Sequence, residues 1–326
     1  MNTYLKYKPG WMQLLIFGGL AFGVFLVVSL IGMFMVAKFN HLSFMDLSAL
    51  KAEDFAKPAY AGVARGMLVV QFFGVFLLPS LLFAYFADPR PLHFAGLRRP
   101  DRRSSIYLGI LIILCSYMMV EWLGAVNQQL VQRFLGKAAQ QWIEKGESDV
   151  GGTLENILSM KTPSDLLESI LLVGVLAAVG EELFFRGILQ RILIGTFGRP
   201  WTGIVVTAAI FSAIHGQFLG FIPRMILGII LGALYWYSGS LLPAILGHFI
   251  FNSLQVVLVY TKVMDVSQQS TAGDKYLTIT GIIALVVVIL LLQYLRKHSQ
   301  TTFAGVYGDP PAQEHPDNNG PSNQAV

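Results

Sequence analysis

Two glutamates and an arginine fall within six residues of a run that is otherwise apolar enough to cross a membrane. The stretch is Gly180-Glu181-Glu182-Leu183-Phe184-Phe185-Arg186-Gly187, with Leu171 to Val179 before it and Ile188, Leu189 and Ile192 after it. A charged side chain in the bilayer centre costs about 2.5–3.5 kcal/mol on insertion scales. Three such groups therefore need partners, or a task, or both. On a helix Glu182 and Arg186 are i, i+4, with the acid N-terminal to the base, which is the favoured order for a pair. Glu181 is rotated by about 100° from Glu182, so Arg186 is poorly placed to neutralise it. The pair is expected to be structural. Glu181 must find its partners on other helices.

Composition supports the membrane setting. Of 326 residues, 54% are hydrophobic and 13% charged, where a soluble domain carries about 25% charged residues. The expected fold is all-α: a polytopic membrane protein of about eight transmembrane helices around an intramembrane polar cavity. The net charge of +4 follows from basic loops beside a membrane and calls for no nucleic acid. The single cysteine, Cys115, lies in an apolar run and reads as a small buried hydrophobe.

In order, the spans are expected at about 11–36, 66–86, 106–126, 166–194, 201–215, 221–237, 241–260 and 277–295. The first is too long for a signal-peptide core and reads as an anchor. Asp88-Pro89-Arg90-Pro91 breaks the chain after the second, and Arg98, Arg99, Arg102 and Arg103 follow. Residues 127–146 carry apolar groups at helical spacing. They predict an amphipathic helix, either on the membrane surface or packed on the other helices as a lid. Glu144, Glu147 and Asp149 are expected in a solvated loop. Gly228-x-x-x-Gly232 predicts close helix packing, and Ser238-Gly239-Ser240 a tight turn. The tail from Ser299 has a disordered composition. The chain thus divides into 1–105, two spans and a basic loop; 106–164, the third span and the amphipathic and polar segment; 165–260, a core of spans four to seven; 261–298, the last span; and 299–326, the tail. The arginine-rich loop places itself and both termini in the cytoplasm by the positive-inside rule.

Once loop residues are set aside, the polar groups converge on three spans. Glu181 is on the fourth, His215 ends the fifth, and His248 and Asn252, i and i+4, share a face of the seventh. Each is costly in lipid, and each satisfies the others if they share a cavity. Peptide hydrolysis there needs an activated water, a general base and an oxyanion stabiliser, and desolvation strengthens a carboxylate base. One Glu, two His and an Asn supply those parts. Ser212 has only His215 near it to mark it as a nucleophile. Glu181, His215 and His248 with a water also make a catalytic zinc set, although gaps of 34 and 33 residues match no specific ligand spacing.

These motifs resemble the CAAX-protease and bacteriocin-processing family of intramembrane proteases, which includes the type II CAAX prenyl endopeptidases. Glu-Glu-x-x-x-Arg is Glu181 to Arg186, Phe-x-x-x-His is Phe211 to His215, and His-x-x-x-Asn is His248 to Asn252. The resemblance covers roughly 165–260. It implies an eight-span α-helical fold in which Glu181 and His215 activate water and His248 and Asn252 form the oxyanion site. Glu182, Arg186 and Phe211 are supporting residues. It implies a glutamate-dependent enzyme with no required cofactor; zinc on Glu181, His215 and His248 is the alternative. The partners it implies are a peptide or lipidated-protein substrate and membrane lipids, and the expected location is a bacterial inner membrane. A non-catalytic immunity or scaffold protein, or a transporter, is the alternative function; the lack of a visible inverted repeat weighs against the transporter.

Overall fold

The computed structural model describes residues 4–264 and 274–303. Within them every regular element is helical. The long helices are α1 (Gly10–Phe39), α2 (Pro58–Ala87), α3 (Ser104–Phe134), α4 (Lys137–Ile157), α5 (163–197), α6 (Pro200–Ala213), α7 (Phe221–Ser238), α8 (Leu242–Tyr260) and α9 (Lys275–His298). The protein is an all-α, polytopic, integral membrane protein. Among the described residues, six helices are long and apolar enough to cross a membrane: α1, α2, α3, α7, α8 and α9. The other two expected spans differ in kind. The charges lie on α5, and α6 has only 14 residues, about 21 Å at 1.5 Å per residue against a hydrocarbon core of about 30 Å.

Local signals explain the boundaries. Thr162 and Asp165 form a capping box at the start of α5, with Pro163 in the first turn. Gly198 ends α5 at φ 63°, and Pro200 opens α6. Gly239, at φ 66°, closes α7 in the turn expected there. That turn docks on the basic loop, where Ser240 Oγ donates to the Arg98 carbonyl and Leu241 N to the Gly96 carbonyl.

The interior is built from α2, α3, α5, α7 and α8, with Phe83, Ile112, Phe185, Leu231 and Ala244 among its buried residues. By contrast, α1 and α9 present apolar side chains outward, among them Phe22, Leu26, Ile283 and Leu290, as lipid-facing helices must. The Gly228/Gly232 face of α7 receives α5. Arg186 Nη2 donates to the Gly228 carbonyl and Gln190 Nε2 to the Gly232 carbonyl, each at 3.2 Å. A Cβ at Gly232 would fall 2.5 Å from Gln190 Oε1 and 3.0 Å from Ile204. The small-residue motif therefore brings a row of backbone acceptors to polar side chains as well as bringing helices together.

The segment after the third span departs from expectation. The single helix expected over 127–146 is two helices, broken at Leu135–Gly136. The first half prolongs α3 to Phe134, and α4 continues to Ile157. Glu144, Glu147 and Asp149, expected in a loop, are on α4. Gly146, Gly151 and Gly152 weaken helix propensity there, but tertiary contacts override it. Arg65 Nε and Nη2 donate to the Ile157 carbonyl at 3.1 and 3.0 Å, and Asn156 Nδ2 donates to the Phe55 and Lys57 carbonyls at 2.8 Å each. The packed part is the end of α4 with Ile143, whereas Leu130, Phe134, Leu135 and Trp142, on the apolar face of 127–146, stay exposed.

Residues 304–326, most of the tail, lie outside the described residues. The beginning of the tail is held. Ser299 Oγ and Thr301 Oγ1 donate to the Tyr237 carbonyl at 2.7 and 3.1 Å, which corrects the expectation of disorder from Ser299 onward.

Candidate active site

Helix α5 changes its winding between the two glutamates. Ala177–Glu181 is α-helical and Glu182–Gln190 is π-helical, and a second π segment spans Ile170–Leu176. Such wide turns are rare and recur at functional sites. Here the change leaves the two carboxylates in different surroundings.

Glu182 is fully buried. Its Oε1 accepts from Arg186 Nη1 at 2.7 Å and from His248 Nδ1 at 2.9 Å. The expected pair is present, but it has a third member that one-helix reasoning could not supply. Arg186 also stacks over Phe211, 4.6 Å from the ring centroid. Phe211 in turn meets His215 edge-on at 4.9 Å, so its supporting role is geometric.

Glu181 is one-seventh exposed, its side chain at 14%. His248 Nε2 lies 3.9 Å from Glu181 Oε2, beyond hydrogen-bond reach. Arg186 makes no ion pair with it. This carboxylate lines a cavity of about 760 Å³, and His215, His248 and Asn252 lie on the same wall. The four residues, from α5, α8 and the turn that follows α6, therefore line one cavity. The lining also includes Asp149, Thr153 and Leu154 from α4 and Ala52 and Phe55 from the short helix Ala52–Ala56.

Hydrogen bonds fix the tautomers. His215 lies just past the end of α6, and its Nδ1 is 2.7 Å from the Phe211 carbonyl. A carbonyl only accepts, so Nδ1 carries the proton and the neutral ring keeps its lone pair on Nε2. His248 Nδ1 donates to Glu182 by the same argument. To donate from Nε2 as well, the His248 ring must carry both protons. Asn252 Nδ2 donates to the Val173 carbonyl at 2.9 Å. That leaves one further N–H on the same nitrogen and a carbonyl oxygen. Ser212 Oγ donates to the Phe221 carbonyl at 2.7 Å and is buried, which ties it to the loop and not to a base. Among the described residues no three His, Cys, Asp or Glu side chains gather closely enough to hold a metal ion.

The loop that carries His215 is pinned from outside the core. Asn127 Nδ2 donates to the carbonyls of Phe218 and Leu219, and Glu147 Oε1 accepts from Leu219 N. Sequence reasoning missed these residues, and it missed Arg224, which lines the same cavity. A lone arginine in the first turn of an apolar span was the available signal for Arg224.

Residues 163–254 match the family described as Rce1-like, type II CAAX prenyl endopeptidase Rce1-like. The segment that carries the site is thus similar to that family. The matched residues run from the first turn of α5 into α8 and include all four groups on the cavity wall. The resemblance drawn from the three motifs therefore holds over the stretch where they lie. The uncharacterized protein YpbD of Bacillus subtilis (strain 168) is 27% identical over 137 residues, which are 42% of this chain and 67% of that protein. No solved structure matches the chain.

Proposed function

We propose that the protein is an intramembrane endopeptidase in which Glu181 activates the water that attacks a peptide bond. The observation that carries this reading is the bare Glu181 carboxylate on a cavity wall shared with His215, His248 and Asn252. Glu181 accepts a proton from water as the water oxygen attacks the carbonyl carbon, and the same proton goes to the departing amine as the C–N bond breaks. His215 Nε2, an acceptor, holds the second hydrogen of that water. The remaining Asn252 N–H and a doubly protonated His248 stabilise the oxyanion. Glu182 orients His248 and supports its charge. No metal or other cofactor enters the scheme.

The substrate is a peptide or lipidated protein that reaches the cavity from the membrane, of the prenylated C-terminal kind or a bacterial peptide precursor. The setting is the bacterial inner membrane, with both termini and the arginine-rich loop in the cytoplasm. The test is hydrolysis of quenched lipidated peptides by protein purified into lipid nanodiscs. Glu181→Gln should lower kcat by about 10²–10⁴-fold with unchanged thermal stability, and strong chelators should leave the wild-type rate intact. A wild-type protein that cleaves nothing, or full activity in Glu181→Gln, overturns the proposal.

A further inference from the structure

We infer that Arg224 forms the subsite that takes the C-terminal carboxylate of the substrate. The inference rests on the peptidase reading above and adds to it the end of the chain that is recognised.

Arg224 stands in the first turn of α7 and lines the cavity with Glu181 and His215. Its guanidinium is half used. Nη2 donates to Gln217 Oε1 at 2.7 Å, while Nη1 is shielded from solvent and meets no acceptor. A buried donor without a partner is costly, and here no resident carboxylate accepts from Nη1. Glu147 is committed to Leu219 N and to Gln217 Nε2, and no ion pair joins Arg224 to Glu181. The Gln217 contact fixes one edge of the planar fork and leaves the other for an incoming acceptor, the geometry that suits a carboxylate.

Space is reserved for this side chain. A Cβ at Gly220 would fall 2.8 Å from Arg224 Nη2 and 3.3 Å from Cζ and Nη1. The backbone at Gly220 is right-handed helical, φ −91° and ψ 0°, so glycine is there for room and not for its conformation. A turn about the terminal torsions, which exchanges the Gln217 contact for a new one, would bring Nη1 to an incoming carboxylate. The cavity lining also carries apolar side chains, among them Phe72, Leu172, Leu176 and Leu227. A short apolar chain end fits these surroundings, with its carboxylate at Arg224 and a peptide bond upstream at Glu181.

The test compares one quenched lipidated peptide as its free acid and as its C-terminal amide. Wild type should favour the acid by roughly 10- to 100-fold in kcat/KM, the worth of a charged hydrogen bond, with most of the difference in KM. Arg224→Gln should abolish that preference by lowering acid cleavage alone. Arg224→Lys should restore part of it, and Gly220→Ala should weaken it with Arg224 intact. Equal rates for acid and amide in wild type, or an equal loss of both in Arg224→Gln, overturns the assignment; the second outcome would make Arg224 a counter-charge for Glu181. Binding separates this failure from failure of the peptidase reading. In Glu181→Gln, which should not turn over, fluorescence anisotropy should still show tighter binding of the acid than of the amide. The Glu181→Gln/Arg224→Gln double variant should bind the two alike, and an acid preference that survives there sinks the subsite.

Discussion

Glu181 and Glu182 are neighbours with the same side chain and opposite surroundings. Glu182 sits in a buried clamp, holding Arg186 from its own helix and His248 from α8 through one oxygen. Glu181 sits on the cavity wall with no hydrogen bond among the described residues and a histidine nitrogen 3.9 Å away. A single residue step, together with the change from α to π winding between them, separates a group held in place from a group left able to take a proton. The difference teaches where to look for chemistry in a membrane interior. The ion-paired charge builds the site, and the unpaired one that touches the cavity is free to act in it.

Substitutions can break this contrast. The largest effect on stability is expected in the clamp. Glu182→Gln or Arg186→Met leaves the other charge buried, which should cost about 3–5 kcal/mol, read as a fall in thermal stability or in folded yield. Glu181→Gln should cost almost nothing on the same measurement. If the two glutamates proved equally costly, the division between clamp and wall would fail. Glu182→Met/Arg186→Met sharpens the point further. Replacing both charges with apolar groups should recover most of the stability while activity stays low, because His248 has lost its holder. Recovery of both would remove Glu182 from any positioning role.

A smaller effect is expected where α5 meets α7. Gly232→Ala places a Cβ 2.5 Å from Gln190 Oε1 and 3.0 Å from Ile204. Overpacking of this kind should cost about 1–3 kcal/mol. No change in melting temperature would mean that the Gln190 side chain simply moves aside.

The smallest effect belongs to an ion pair at the membrane edge, Lys6–Asp88, 2.8 Å apart with side chains 14% and 11% exposed. Burial pushes the Asp88 carboxyl up, but the Lys6 ammonium and the Arg90 N–H outweigh it and hold the carboxyl below its ordinary value. Because the folded state favours the charged form, this contribution is present above the unfolded pKa of about 3.9 and fades as the pH falls through the lower folded value. Lys6→Met should cost about 1 kcal/mol near neutral pH and progressively less in acid. A loss as large as that of Arg186→Met would show that burial does not set the difference between the two pairs.

Much of this was legible in the chain. The Glu182–Arg186 spacing, the turn at Ser238–Ser240 and the ends of α7 and α8 follow from helical period, glycine, proline and charge, which act over a few residues. The three motifs also marked Glu181, His215, His248 and Asn252 as a set. Other features were hidden. Glycines on α4 and the charges of Glu144, Glu147 and Asp149 look like loop until Arg65 and Asn156 tie the helix down from distant segments. Arg224 is one charge in an apolar span, with nothing local to mark it.

By itself the sequence determined an all-α membrane chain and the angular relation of Glu181 to Glu182 along one helix, because turn period and the cost of charge in lipid are local properties. Only the tertiary structure decided that Glu182 holds His248, that Asn252 is anchored on the Val173 carbonyl, that α4 helps to line the cavity and that Arg224 reaches it. Those relations cross between helices 66 to 79 residues apart in the chain for the first two, and their distances are set by how whole helices pack.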